Sequence, residues 1–340
     1  MSTRISVVIP TIGDKESLGE TISSLLRIEA IKEIVVVSNL AITNPSIPRD
    51  ERVRVLVAPN VSISDARNLG ITSTTESIIA FTDDDCVVSD DWVSSVMPLF
   101  EDPTVAIVGG PGVTHSGDAP LCKCAGAALE SIVGTYSSSS RYSSTHGEIR
   151  EVGEQNLSTC NLFFRRSTLE TVGYFDRMIY PCEENELIWR IKTKGYKALY
   201  APSCIVFHHR RPIIRQFLSQ ISAYARGRAV FLRKYPRTLR LTTAAPSMLV
   251  LLILALPLAY FTTRFMFHTI VTVMAAYVTL TFIASLHSVR RSGLNLRFQP
   301  LVWLTIILMH LCYGATLIVA LGKNSFRIRR RILPLNPPSS

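Results

Sequence analysis

Three apolar stretches in the last third of the sequence, residues 247–261, 265–286 and 301–321, constrain this chain more than any other feature. Such side chains must leave water. The latter two stretches have about the length a bilayer asks of a helix, roughly 20 residues. The first is shorter and breaks at Thr262-Thr263-Arg264, which makes it one arm of a tight hairpin. A buried helical domain that never meets lipid would fit the same pattern, but the charge favours lipid. The 340 residues combine a formal charge of +10 with 47% hydrophobic content, as basic flanks beside membrane spans do. The number of crossings stays open. If all three stretches cross, the tail with Lys323, Arg327, Arg329, Arg330 and Arg331 lies outside and the linker with Arg290, Arg291 and Arg297 inside. That opposes the tendency of basic segments to stay inside; a re-entrant first hairpin or last stretch would remove the conflict.

The preceding residues read differently. Short β-branched or aromatic runs at residues 5–9, 34–37, 53–57, 77–81 and 105–108 have strand character. Residues 16–28 set Leu18, Ile22, Leu25 and Leu26 at helical spacing, and Ser64 is placed to cap a second helix. Strands alternating with helices predict an α/β domain around a mainly parallel, doubly wound sheet. Ligands of such sheets sit beyond the carboxyl ends of strands, where Thr11, Ser38-Asn39 and Asp83-Asp84-Asp85 all fall. In extended backbone Asp83 and Asp85 point to one side and Asp84 to the other. Carboxylates this close need a cation, and hard divalent ions prefer oxygen ligands. A lone acidic triplet is more often a solvated turn; three separated stretches converging on one crevice set this one apart.

The motifs in their order are more specific than any one alone. Val7-Val8-Ile9-Pro10-Thr11, then Ser64, Ala66-Arg67-Asn68 and Gly70, then Asp83-Asp84-Asp85 resemble the family 2 glycosyltransferases of GT-A fold. The likeness continues through Asn161-Leu162-Phe163-Phe164-Arg165-Arg166, Val172-Gly173-Tyr174-Phe175-Asp176, and Glu183-Glu184-Asn185-Glu186-Leu187 with Arg190, covering roughly residues 4–235. It implies a Rossmann-like, mainly parallel GT-A domain over residues 1–212. A juxtamembrane region (213–240), transmembrane helices (241–325) and a basic tail (326–340) would follow.

The resemblance further implies a nucleotide-diphosphate sugar as donor and Mg2+ or Mn2+ as cofactor. Asp83 and Asp85 match the family's DxD metal positions, and Asp84 would face the ribose or the sugar. Pro10, Thr11 and Asn39 match donor-binding stretches, although relatives commonly carry Asp near Asn39 and an amide both donates and accepts. Arg67 would reach the base or diphosphate. Gly110 would let backbone approach sugar or phosphate, though a plain tight turn reads almost as well. Inverting transfer needs a carboxylate to take the acceptor's proton, and the family pattern places it at Glu184, where most relatives have Asp. Glu186 falls on the motif's last acid, an orienting group paired with Arg190 four residues on. His208 is the better match to a metal-ligating position; a core histidine is the competing reading, and Arg210 and Arg211 could clamp an acceptor phosphate.

Residues 135–146 are serine-rich and read as a mobile loop. Residues 198–206 read as a strand interrupted by Pro202. Residues 213–235 carry an apolar helical stripe among basic residues, which suits a helix on an anionic membrane surface or an amphipathic core helix. Gln220 lacks the QxxRW continuation of processive synthases, so transfer of a single sugar is expected. The anchor implies a lipid-linked or glycan acceptor, a polyprenyl phosphate or a sugar carried on one. The alternatives are a polyprenyl-phosphate-sugar synthase proper and an inactive GT-A binding protein. The first is disfavoured because residues 64–70 look like the general family, the second because the acids are retained. A nucleotidyltransferase would want a better phosphate loop than Ile12-Gly13-Asp14-Lys15. Nucleic acid is not expected, because basic residues gather beside apolar segments rather than aromatic platforms. The seven cysteines show no four-ligand zinc spacing. The amino terminus lacks a signal peptide's apolar core, so a multi-pass protein of the cell membrane with a cytoplasmic catalytic domain is the expectation.

Overall fold

The computed structural model describes residues 4–13, 15–143, 147–212 and 214–323. Its strands are β1 (Ile5–Thr11), β2 (Ile31–Ser38), β3 (Val53–Val57), β4 (Ile78–Phe81), β5 (Cys86–Val88), β6 (Val105–Gly109), β7 (Gly112–Thr114), β8 (Arg150–Glu151), β9 (Leu162–Arg165), β10 (Lys197–Tyr200) and β11 (Val206–His208). Its helices are α1 (Glu16–Leu26), α2 (Ile63–Thr72), α3 (Pro120–Glu130), α4 (Ile132–Thr135), α5 (Arg166–Val172), α6 (Glu183–Thr193), α7 (Arg215–Lys234), α8 (Leu241–Thr262), α9 (Arg264–Arg291) and α10 (Gln299–Gly322).

Eight strands form one sheet in the order β3-β2-β1-β4-β9-β6-β10-β8. It is mainly parallel; β9 runs antiparallel to β4 and β6, and β8 antiparallel to β10. β1 is wholly buried because it pairs on both sides, Val7 standing opposite Ile34 of β2 and Ala80 of β4. Alternation along the strands feeds two cores. Val7, Ala80 and Phe163 join Leu18, Ile22 and Trp92 on one face, whereas Val8, Phe81 and Phe164 join Leu187, Ile188 and Ile191 on the other. Strand order turns back at β1 and β4, the switch point at which such sheets open a crevice. A second, three-stranded sheet, β5-β11-β7, brings His208 level with Cys86 beside that opening.

Several boundaries differ from the sequence reading. The α2 cap is Ser62, whose hydroxyl accepts from the Asp65 amide, while Ser64 lies buried inside the helix. Residues 198–206 divide into β10 and β11, in different sheets. Most of the serine-rich stretch is ordered: Tyr136–Arg141 is a 3-10 helix, and Tyr200 donates from its hydroxyl to the Ser140 carbonyl at 2.9 Å. Residues 144–146 of it lie outside the described residues, as does the basic tail beyond residue 323.

The C-terminal helices are all long and apolar enough to cross a membrane. The first is longer than its apolar core suggested, because α8 runs back through Pro246 to Leu241. α8 and α9 form a hairpin whose tip exposes Leu258, Phe261, Phe265 and Met266. α10 instead packs along its length on the N-terminal portion: Val302 and Ile306 on α3, Met309 beside Phe217 and Ile221 of α7, Leu317 and Ala320 on Ala225, Ala229 and Leu232. The apolar stripe of α7 is thus covered by protein rather than lipid. The seat is tight at Gly227, where a Cβ would collide with the Pro181 carbonyl.

Candidate active site

The three aspartates follow β4 and splay as extended backbone dictates. Asp84 turns inward, accepting from the Thr11 hydroxyl and from Lys15 at 2.6 Å, and the Ser17 hydroxyl donates to its carbonyl at 2.8 Å. Asp83 and Asp85 face the crevice. Arg67, only 5% exposed, reaches from α2 to Glu183 of α6, to the Thr159 hydroxyl at 2.8 Å and to Asp83 at 3.8 Å. One guanidinium thereby links the acids after β4 to those at the start of α6. Asp85 lies 3.1 Å from Nε2 of His208. Burial alone would raise the Asp85 pKa, but His208 holds it down at about 2; burial, with Cys160 beside it, pushes Asp83 up to about 7.

Glu183, Glu184 and Glu186 occupy the first turn of α6, where the helix dipole favours negative charge. Glu184 faces the crevice with Arg141 at 3.5 Å. Burial first, and the Glu183 charge second, hold its proton affinity above that of an ordinary glutamate. The crevice is lined by Thr11, Lys15, Arg67, all three aspartates, Glu184 and His208.

Residues 6–173 match the family model described as Glycosyl transferase family 2. This portion of the chain is a family 2 glycosyltransferase domain. Curated relatives include the pre-mycofactocin glycosyltransferase of Mycobacterium tuberculosis, 25% identical over 182 residues, which are 50% of this chain and 35% of that protein. The O-antigen chain rhamnosyltransferase RfbN of Salmonella typhimurium is 22% identical, covering 60% of this chain and 66% of the relative. The chain therefore spans about a third of the first relative and just under two thirds of the second. Among solved structures, the mannosyltransferase PcManGT of Pyrobaculum calidifontis, in complex with GDP-Man and Mn2+, superposes with a TM-score of 0.62. The match covers 95% of this chain and 88% of that one at 15% identity. The domain has the GT-A fold, and apolar helices follow it.

The transferase domain brings most of the expected residues together. Pro10, Thr11, Arg67, Asp83, Asp84, Asp85, Glu184 and His208 all line the crevice. Four do not. Gly110 is backed against protein, since a Cβ there would strike the carbonyls of Cys204 and Ala201; its close approach is to backbone, not sugar. Asn39 donates from its backbone N–H to the Thr11 carbonyl at 3.3 Å but lies off the crevice lining. Glu186 pairs with Arg190 at 2.8 Å as expected, yet on the far side of α6. There Tyr235 donates to Glu186, and Arg190 donates to the carbonyls of Val172, Gly173 and Tyr174. The pair clamps helix to loop rather than meeting an acceptor.

The donor set suits a divalent cation. Asp85, Cys86 and His208 present ligand atoms within 4.8 Å of one another. Burial raises the Cys86 thiol well above its ordinary pKa, and sulfur suits a hard divalent ion less well than oxygen does. The Asp85 carboxylate and the His208 imidazole remain, and Asp83 in the same crevice adds a second carboxylate, a set that suits Mn2+ or Mg2+. Arg210 sits 3.0 Å from Nδ1 of His208 and also crosses the face of Tyr142. His209 is engaged elsewhere, with Asp118 at 2.6 Å and Glu20 at 3.4 Å.

Sequence reasoning missed Lys15 and Arg141. Lys15 lay in a loop dismissed as a poor phosphate loop, and Arg141 in a serine run read as mobile. Its signal was an isolated arginine among small polar residues. Also missed was a second cavity of about 150 Å3, adjoining the crevice and bounded by α4, α7, α8 and α10. Glu184 lines both spaces.

Proposed function

We propose that this chain transfers one sugar from a nucleotide-diphosphate sugar to a hydroxyl of a lipid-linked acceptor, with inversion at the anomeric carbon. The position of Glu184 carries the reading: it stands where the acid-bearing crevice meets the cavity among the helices. Donor and acceptor can then reach one carboxylate from opposite sides. The names of the relatives point to sugar transfer, and PcManGT holds a nucleotide sugar together with Mn2+.

On this reading Thr11 and Lys15 border the donor, with Asp84 anchoring both of them. Asp83, Asp85 and His208 would hold Mn2+ or Mg2+, which when bound offsets the charge of the departing diphosphate. Arg67 keeps Asp83 and Glu183 in register across the crevice. Glu184 accepts the acceptor's proton as the hydroxyl attacks. Its raised proton affinity makes it a stronger base than a solvated carboxylate, and Arg141 fixes its direction.

The packing of the helices supports a two-crossing arrangement at the cell membrane. The α8–α9 hairpin would span, and α10 would lie between hairpin and catalytic domain, leaving Arg290, Arg291 and Lys323 on the domain's cytoplasmic side, as basic residues prefer. In oriented vesicles Thr263→Cys and Lys323→Cys should label from opposite faces; labelling from one face would remove the hairpin crossing.

The function is tested by a panel of nucleotide sugars added to the full chain in nanodiscs. One donor should raise the melting temperature in the presence of Mn2+, by mass action, and should release nucleoside diphosphate when an acceptor is supplied. No donor with either effect would end the reading.

A further inference from the structure

The second cavity has an electrostatic peculiarity. Three arginines line it: Arg141 from the 3-10 helix, Arg228 from α7 and Arg240 just before α8. Two have carboxylate partners, Arg141 with Glu184 at 3.5 Å and Arg240 with Glu154 at 3.0 Å. Arg228 has no carboxylate within ion-pair distance among the described residues; it hydrogen-bonds to the Tyr313 hydroxyl, lies over the Phe231 ring and shares the field of Glu154 and Glu184 with the other two arginines. Three guanidiniums thus share two carboxylates, Glu154 and Glu184, and an anion entering the cavity would balance the remaining positive charge. The rest of the lining mixes hydroxyls, amides and two carboxylates with one apolar side. Leu129, Ile221, Pro246 and Met309 are apolar, and Pro246 and Met309 belong to helices long and apolar enough to meet lipid. The cavity is thus cationic beside Glu184 and apolar toward the membrane.

We infer that this cavity binds the phosphate that joins a lipid chain to the acceptor's sugar, with Arg228 as its principal ligand and Arg141 and Arg240 flanking it. The inference rests on the acceptor side of the proposed function and narrows it. A bare lipid phosphate is already ionised near neutral pH, its second pKa being about 6, and would need no general base. A carboxylate beside the attacking oxygen would repel it. The presence of Glu184 at the junction therefore favours a sugar hydroxyl as nucleophile, with the phosphate one residue deeper at Arg228. In that step the hydroxyl oxygen bonds to the donor's anomeric carbon, the bond to the nucleoside diphosphate breaks, and the proton passes to Glu184.

The test uses the full chain in phosphatidylcholine nanodiscs with three probes: farnesyl phosphate, farnesol and inorganic phosphate. Farnesyl phosphate should bind the wild type at least tenfold more tightly than either other probe. Arg228→Ala should weaken it about tenfold or more, and Arg228→Lys should recover part of the loss. The melting shift given by a nucleoside diphosphate with Mn2+ should be unchanged in both variants, which shows the fold intact. Equal affinity of Arg228→Ala and wild type for farnesyl phosphate would overturn the assignment. So would farnesol binding as tightly, which marks an apolar pocket only, or inorganic phosphate binding as tightly, which marks a site for soluble anions. Loss of donor-dependent activity with farnesyl phosphate binding retained would instead strike the proposed function and leave this site standing.

Discussion

The crevice and the cavity beside it share Glu184, yet they balance charge in opposite ways. In the crevice every acid already has a protein partner: Asp84 has Lys15, Asp83 and Glu183 have Arg67, Asp85 has His208. In the cavity three guanidiniums share two carboxylates, Glu154 and Glu184. A space whose charges are paired in advance holds its shape while a ligand is absent, and a donor with its cation replaces some pairs by others. A space with an unmatched cation is incomplete until an anion arrives. The donor side is therefore preorganised and the acceptor side is made whole by its substrate.

The largest effect should come from removing a crevice acid that faces the cation position. Asp85→Ala is expected to bring transfer below detection and to abolish the metal-dependent melting shift by nucleotide, because charge on the leaving group is then unopposed. Unchanged turnover would dissociate the acids from catalysis and break the contrast at its donor end. Glu184→Gln should act at the junction. Donor binding should survive, while the rate falls roughly 10²–10⁴-fold, the usual worth of a general base. In the wild type the same carboxylate should set the acid limb of the pH profile once a bound cation has displaced the proton of Asp83, whose pKa is otherwise pushed up to about 7. Glu184 works only when deprotonated, and burial with the Glu183 charge raises its pKa. Activity should thus fail at a higher pH than an ordinary glutamate would give, and Glu184→Gln should lose that limb. A profile flat down to the ordinary glutamate range would contradict the buried geometry.

The difference between the two spaces also explains what could be read from the sequence. The crevice is made of residues at strand ends, each inside a short motif: Thr11 after β1, the aspartates after β4, Glu184 opening α6. Local pattern plus the rule for parallel sheets was enough to bring them together. Asp84 pointing away from Asp83 and Asp85 followed from backbone alternation alone. The cavity has no motif. Arg141, Arg228 and Arg240 come from a serine run, a helix and a linker, and only the packing of α7 against α10 makes them neighbours. The same packing decided α7, whose stripe among basic residues favours a membrane surface over a protein core and is covered by protein instead. Gly110 and Glu186 were misplaced for a related reason: a motif position fixes the backbone, but which side chain meets the ligand depends on what packs behind it.

Arg67 offers a smaller test of the donor side's preorganisation. It is nearly buried, and Glu183 beside it is 3% exposed. Arg67→Met leaves that carboxylate without its counter-charge in a poorly solvated place, at a cost of about 3–5 kcal/mol. Thermal or denaturant unfolding should show the loss. Arg67→Met combined with Glu183→Leu should restore most of it, since replacing a buried pair by apolar groups is often neutral. If the double variant is as unstable as the single, the pair is not what stabilises this end of the crevice.

The expected effect that discriminates most finely in kinetics falls on the seam between the two spaces. Gly227 lets α7 lie directly on the backbone of residue 181, next to Cys182 at the start of α6. A methyl group there would overlap a carbonyl oxygen rather than lie against a side chain that can swing aside, so helix and loop must part by more than an ångström. Overpacking on that scale costs about 3 kcal/mol or more. The more telling readout is how the shift divides between substrates. Arg228 is one residue along the same helix, whereas Lys15 and Asp84 follow the central strands β1 and β4, and α7 meets their crevice through Phe217, Gln220 and Tyr224, earlier along the helix than Gly227. Gly227→Ala should therefore raise the KM for a lipid-linked acceptor while the KM for the nucleotide sugar stays near its wild-type value. Equal changes in both would mean that the two spaces move as one body, and that the acceptor side is as rigid as the donor side.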